Sequence, residues 1–275
     1  MALSIHTNYS SLITQTNLSK TNNALGTNQQ RLGTGLRINS ASDDAAGLQI
    51  ATRLNAQSRG MGVAMRNIGD SISLLQTAEG ALNEMTDIAQ RMKDLATQAA
   101  NDTNSEDDRT ALASEYTQLA AELNNIFDNT KYAGENLFGD DGKFAEAVNF
   151  QIGSSTEETL ALEIDLSGIT LDDLDSETLE DHDTAQTAIG TMDDLLAAIG
   201  TVRSEFGANI NRLNHTHNNL GNMKDNTEMA KGRIMDADFA SESANMTKNS
   251  MLMQSGISML KQAGQMPSMV MGLLG

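Results

Sequence analysis

The 275 residues contain no cysteine, no tryptophan and a single proline, Pro267. Without cysteine the chain holds no disulfide framework, no thiolate metal site and no cysteine nucleophile. With proline nearly absent, long helices can run without their strongest breaker. No stretch approaches the ~18 consecutive apolar residues that a membrane-spanning helix needs. The opening MALSIHTNYS has neither the basic stretch nor the apolar run of a secretory signal peptide. Basic charge is scarce: 18 Lys plus Arg stand against 37 Asp plus Glu, a net charge of −19. Phosphates would be repelled and no basic stripe neutralises them, which argues against nucleic-acid binding; insertion into a membrane is not expected either.

What the chain does have is helical periodicity. Met61, Met65, Ile68, Ile72, Leu75, Ala78, Leu82, Met85, Ala89, Met92, Leu95 and Ala99 recur at intervals of three or four. They predict one long amphipathic helix. NDTNSEDDR at 101–109 ends it with turn and N-cap residue types. A second helix carries Leu112, Tyr116, Leu119, Leu123, Ile126 and Phe127, and a third runs from Ile189 through Leu196, Val202, Phe206, Ile210 and Leu213 to Leu220. Between them lies one β signal: strands at 143–152 and 159–166 that alternate around the turn GSSTEE. Val148, Phe150 and Ile152 are expected to face Leu160, Leu162, Ile164 and Leu166.

The two ends differ from the middle. Residues 1–40 carry no acid, and after Glu242 the only charges are Lys248 and Lys261, whereas most acid lies between Asp102 and Asp194. Ends that pack together and a middle that faces water account for that division. Leu18, Leu25 and Leu32 are seven apart, as are Ile5 and Leu12; Phe239, Met246, Met253 and Leu260 repeat the spacing at the far end. This is coiled-coil spacing in a thin stripe. Ordering such an end loses ~1–2 kcal/mol of backbone entropy per residue. Both ends are therefore expected to be disordered in a free monomer and to fold against partners. The uncharged tail QAGQMPSMVMGLLG reads as a contact surface.

No catalytic constellation emerges. His215 and His217 stand on different helix faces without a third ligand. Gly33 and Gly35 follow no strand and lack the Lys-Ser/Thr of a phosphate loop. Asp140-Asp141-Gly142 lacks the remaining ligands of a calcium loop and reads as a turn. The 16 methionines read as adaptable packing. No nucleophile, base and oxyanion hole come together, so neither an enzyme nor a cofactor is expected.

The run GLRINSASDDAAGLQIATRLNAQSRGMGVAMRNIGDSISLLQTAEGALNEM, residues 35–85, resembles the N-terminal signature of bacterial flagellin. RIMDADFASESANMTKNSMLMQSGISMLKQAGQMPSMVMGLLG, residues 233–275, resembles the matching C-terminal signature. The resemblance implies a mainly α fold, a long helical coiled-coil bundle with one β-hairpin and paired N- and C-terminal helices. It implies an inner filament-core domain of 1–40 with 235–275, a surrounding domain of 41–170 with 185–234, and a short acidic apex at 168–185 in place of larger outer domains. The function implied is a secreted structural subunit that polymerises into the flagellar filament for motility and leaves by the flagellar type III route. Its ends would fold on assembly, burying Leu18, Leu25, Leu32, Phe239, Met246, Met253, Leu260, Leu273 and Leu274. Implied partners are copies of itself, an export chaperone, the filament cap and the hook-junction proteins.

The segment QRMKDLATQ resembles the one read by the animal flagellin-sensing Toll-like receptor. It places Gln90, Arg91 and Leu95, with Glu115 on the next helix, at that contact; a solvated face or subunit interface is the alternative. Lys93 and Asp94 stand where Arg and Glu are common, the last residue is Gly275 rather than a basic one, and the tail is Met-rich. Rival readings are a hook–filament junction protein, which caps rather than polymerises, and an adhesin or signalling coiled coil of small oligomeric size.

Overall fold

Asn8 caps the first helix, α1 (Tyr9–Thr34), its side chain accepting from the Ser11 N–H at 3.0 Å. The helix stops at Gly35, whose φ of 73° places it in the left-handed region where a side chain would be strained. These residues belong to a computed structural model that describes positions 8–139, 141–171, 174 and 179–274, with side chains as far as 265. Five helices and two small hairpins follow in order among the described residues: α1, α2 (Ala45–Ala99), α3 (Glu106–Asn129), β1 (Lys131–Tyr132), β2 (Glu135–Asn136), β3 (Val148–Gln151), β4 (Thr159–Leu162), α4 (His182–Met235) and α5 (Phe239–Leu274). The chain divides into two compact units, Met1–Ser58 with Asp225–Gly275, and Arg59–Lys224.

The second unit is a sealed helical bundle. From α2 it buries Met61, Ile68, Leu75, Leu82, Met85, Met92 and Leu95, and from α4 Met192, Ile199, Val202, Phe206 and Leu213. Helix α3 adds Tyr116 and Leu123, and begins on a capping box in which Ser105 and Asp108 bond each other's backbone N–H. Asp102 and Arg109 pair across that turn at 3.3 Å. Phe127, Phe138, Phe144 and Phe206 form a chain of ring contacts with centroids 5.2–6.2 Å apart.

The expected hairpin is present with the expected facing: Val148 pairs with Leu162 and Phe150 with Leu160. Its strands are shorter than the alternation suggested. Phe144 is drawn into the aromatic chain, and Lys143 and Phe144 donate to the carbonyls of Asn136 and Leu137 instead of extending β3. Gln151 closes the turn, its Nε2 donating to the Ser155 carbonyl at 2.7 Å. A second, smaller hairpin joins β1 to β2 through Ala133 and Gly134, both at positive φ; sequence alternation gave no sign of it because each strand is two residues long. Part of the acidic run, residues 172–173 and 175–178, lies outside the described residues. Its described apolar members Leu171, Leu174 and Leu179 are buried in the bundle core.

In the first unit α1 and α5 pair antiparallel. Leu36 and Asp236 form a backbone bridge at one end, and Asn8 Nδ2 donates to the Ala263 carbonyl at 2.7 Å at the other. Beside them Ser58 Oγ donates to Glu228 at 2.6 Å, joining the start of α2 to the end of α4.

Candidate assembly surface

The α1–α5 pair carries most of the residues expected to make subunit contacts. Leu18, Leu25 and Leu32 on α1, and Met246, Met253 and Leu260 on α5, are half-buried along one seam. Phe239 keeps the seven-residue spacing yet is 57% exposed, because α1 ends at Thr34 and offers no turn opposite it. Leu273 and Leu274 fall within α5, but their side chains lie outside the described residues, as does Ile5.

The seam has a second set of positions that the spacing of large residues did not reveal. On α1, Thr14, Thr21 and Asn28 alternate with the leucines at steps of three and four; on α5, Glu242, Asn249, Gly256 and Ala263 alternate with Met246, Met253 and Leu260. Together they complete a heptad seam whose second position is polar or small. A search for inward-facing residues of any polarity at three–four steps, rather than for apolar ones, would have found them.

One layer of that seam is a polar cluster. Asn28 and Glu242 are 7% and 8% exposed, and Asn28 Nδ2 donates to Glu242 Oε2. Arg31 Nη1 donates to Glu242 Oε1 at 2.9 Å, and Asn249 Nδ2 to Asn28 Oδ1 at 3.0 Å. Arg31 Nε is buried with no hydrogen-bond partner among the described residues.

Away from the seam the pair leaves apolar side chains in solvent. Tyr9, Leu12 and Ile13 are exposed on α1; Met251, Leu252, Ile257 and Met259 are exposed on α5, Met259 by 63%. An array of this kind on one helix pair is the mark of an interaction surface.

The expected receptor residues separate. Gln90, Arg91 and Glu115 are exposed, and Arg91 reaches Glu115 Oε1 with Nε at 3.0 Å and Nη2 at 2.6 Å. Leu95 does not belong with them: it is 1% exposed, facing the bundle core. Three residues after Met92 and four before Ala99, both fully buried, it falls on the inward stripe of α2. Among the described residues no group of three His, Asp or Glu could hold a metal ion. No described helix is long and apolar enough to cross a membrane.

A helix pair that seals little of its own seam and displays apolar residues defines a subunit built to associate. The N-terminal helical region of bacterial flagellin matches residues 5–143, and the C-terminal helical region matches 189–274. A flagellin of Halalkalibacterium halodurans is 44% identical over 89% of this chain and 90% of its own length. Flagellin A of Vibrio anguillarum is 35% identical with both chains covered in full. The crystal structure of Bacillus cereus flagellin is similar, with a TM-score of 0.50 and 34% identity over 56% of this chain and 88% of that one. The chain belongs to the bacterial flagellin family. It is a structural, non-catalytic subunit that forms the flagellar filament by assembling with copies of itself.

Proposed function

We propose that α1 and α5 are the assembly device of this flagellin, unfolded in the exported chain and folded together as each subunit joins the filament. The observation that carries this is the seam: Asn28 is the one buried side chain of α1 among the described residues, so the pair gains too little burial to offset the entropy of ordering two helices. Packing of neighbouring subunits over Tyr9, Leu12, Met251 and Met259 supplies the missing burial. On this reading residues 1–40 with 235–275 form the filament core, 41–170 with 185–234 surround it, and 168–185 give an acidic outer apex. Head-to-tail contacts that do not close produce the helical tube. Leaving unfolded through the flagellar type III route suits a chain free of cysteine. An export chaperone, the filament cap and hook-junction proteins are then its successive partners. Amide exchange tests the core of the proposal: α1 and α5 should exchange freely in the monomer and be protected in the filament, and equal protection in both states overturns it.

A second reading concerns the exposed Arg91–Glu115 pair. Its guanidinium fork lies on an open helix face with Gln90 beside it, a charged recognition feature that fits the animal flagellin-sensing Toll-like receptor. Leu95 supports that face from beneath rather than touching a partner. Arg91→Ala should weaken receptor activation by the soluble monomer; an unchanged response dismisses the assignment.

A further inference from the structure

The α1–α5 seam poses a register problem. Leu18 sits against Gly256, where an added Cβ would lie 3.2 Å from Leu18 Cδ1. That pairing, continued along two antiparallel helices, sets Leu25 across from Asn249 and Thr21 across from Met253. Because large residues repeat every seven on both helices, sliding α5 by one heptad still sets a large residue against a small or polar one. Thr21 would then meet Met246 or Leu260. Apolar matching therefore does not distinguish the three registers.

The polar layer does. Glu242 accepts from both Asn28 and Arg31, and Asn28 accepts in turn from Asn249. After a slip of one heptad the Glu242 carboxylate would meet Thr21 and Ala24, or Gly35 and Ile38, and Arg31 would lose its counter-ion. A buried carboxylate stripped of its guanidinium and amide donors is heavily penalised, and the Thr21 hydroxyl, which carries no charge, does not replace them, so the slipped registers are disfavoured. The same layer adds little stability of its own, since Arg31 Nε is buried without a partner and a half-satisfied network is no better than an apolar one.

We infer that Asn28, Arg31, Glu242 and Asn249 are a register lock, which selects the one antiparallel alignment of α1 with α5 as the subunit folds into the filament. The inference rests on the assembly role proposed above. The competing source of register is the neighbouring Leu36–Asp236 backbone bridge.

The chain has no cysteine, so introduced pairs report alignment without background. Full-length chains carrying Thr21→Cys together with Met253→Cys, Met246→Cys or Leu260→Cys are added to filament seeds and treated with a short thiol cross-linker. With the lock intact only the 21/253 pair should link. In chains that also carry Asn28→Leu, Arg31→Met and Glu242→Leu, the 21/253 yield should fall about twofold or more, as registers of similar energy share the population, and 21/246 or 21/260 products should appear. Glu242→Gln, which keeps an acceptor in place, should retain most of the 21/253 yield. A triple variant that will not elongate alone is read after co-assembly with an excess of unaltered chain. If the triple variant still links only at 21/253, the backbone bridge sets the register and the lock is overturned. Linking at all three pairs in the lock-intact chain overturns it as well. Failure of the lock-intact chain to elongate seeds overturns the assembly reading itself, and the lock with it.

Discussion

Helices α2 and α1 share a seven-residue repeat of large apolar side chains, and they differ in what stands between. In α2 the first seam position holds Met61, Ile68, Leu75 and Leu82, and the second holds Ala64, Ser71, Ala78, Met85, Met92 and Ala99, every one of them buried. In α1 the first position holds Leu18, Leu25 and Leu32, half-buried, and the second holds Thr14, Thr21 and Asn28. Periodicity alone thus does not make a helix pair self-sufficient. A bundle whose second position is small or apolar closes over its own core, while a seam with threonine and asparagine there leaves its leucines only half-buried. The difference is the one the proposed assembly role requires: one region would fold once, and the other on joining.

The largest test of that contrast removes one apolar side chain from each region. Leu82→Ala or Phe206→Ala, at fully buried positions, should destabilise the monomer by about 3–5 kcal/mol in denaturant unfolding. Leu25→Ala, at a half-buried position, should change monomer stability by less than about 1 kcal/mol while raising the subunit concentration needed to elongate seeds. A Leu25→Ala loss in the monomer as large as that of Leu82→Ala would break the comparison.

The long stripes of α2 and α4 were legible because their inward residues are apolar and many. Facing in the hairpin was legible as well, through alternation at Val148, Phe150, Leu160 and Leu162. The ends of its strands were not, since nothing local says that Phe144 will be claimed by Phe138 and Phe206. Along the α1–α5 seam the leucines and methionines were legible from their spacing, but Asn28 and Glu242 were not. Buried polar residues look like surface residues until the partner that satisfies them is known. Leu95 shows the converse: a motif placed it among contact residues, while its own three–four spacing from Met92 and Ala99 already assigned it to the core.

A mid-sized effect is expected at the start of α3. Ser105→Ala removes an N-cap whose hydroxyl oxygen accepts from the Asp108 N–H at 3.2 Å, and should lower the stability of the bundle by about 1 kcal/mol. The terminal pair is uninvolved, so filament elongation per folded subunit should be unchanged. Smaller still is the Arg91–Glu115 pair: both side chains are about half exposed, at 54% and 46%. Arg91→Ala should shift stability by no more than about 1 kcal/mol, so a large loss of receptor activation in that variant would be a loss of contact and not of fold.

The gentlest perturbation is acid, which should act on the bundle in the monomer and on the terminal pair in the filament. Asp108 is held below the ordinary aspartate value of 3.8 by the Ser105 hydroxyl and N–H, and Asp181 by the Thr184 N–H and hydroxyl; both lie in the bundle unit. In the other unit Asp43 is lowered by the N–H groups of Asn39 and Ser40, and Asp238 by the Ser241 hydroxyl and N–H together with the Ala240 N–H. Each group has a folded pKa below its unfolded one. The stability it contributes is therefore complete above 3.8 and is lost as pH falls through the lower folded value. All four carboxylates are exposed, so each alone contributes little. Titration of monomer unfolding from pH 6 to about 2.5 should give a shallow decline that begins near the ordinary aspartate range. Asp108→Asn should flatten it in the bundle transition. Asp238→Asn, at the start of α5, should leave that transition unaltered and instead remove part of the acid sensitivity of the filament, if the helix it caps is ordered only there, as the proposed assembly role requires. An Asp238→Asn effect on monomer unfolding equal to that of Asp108→Asn would mean that the terminal pair is already folded before assembly.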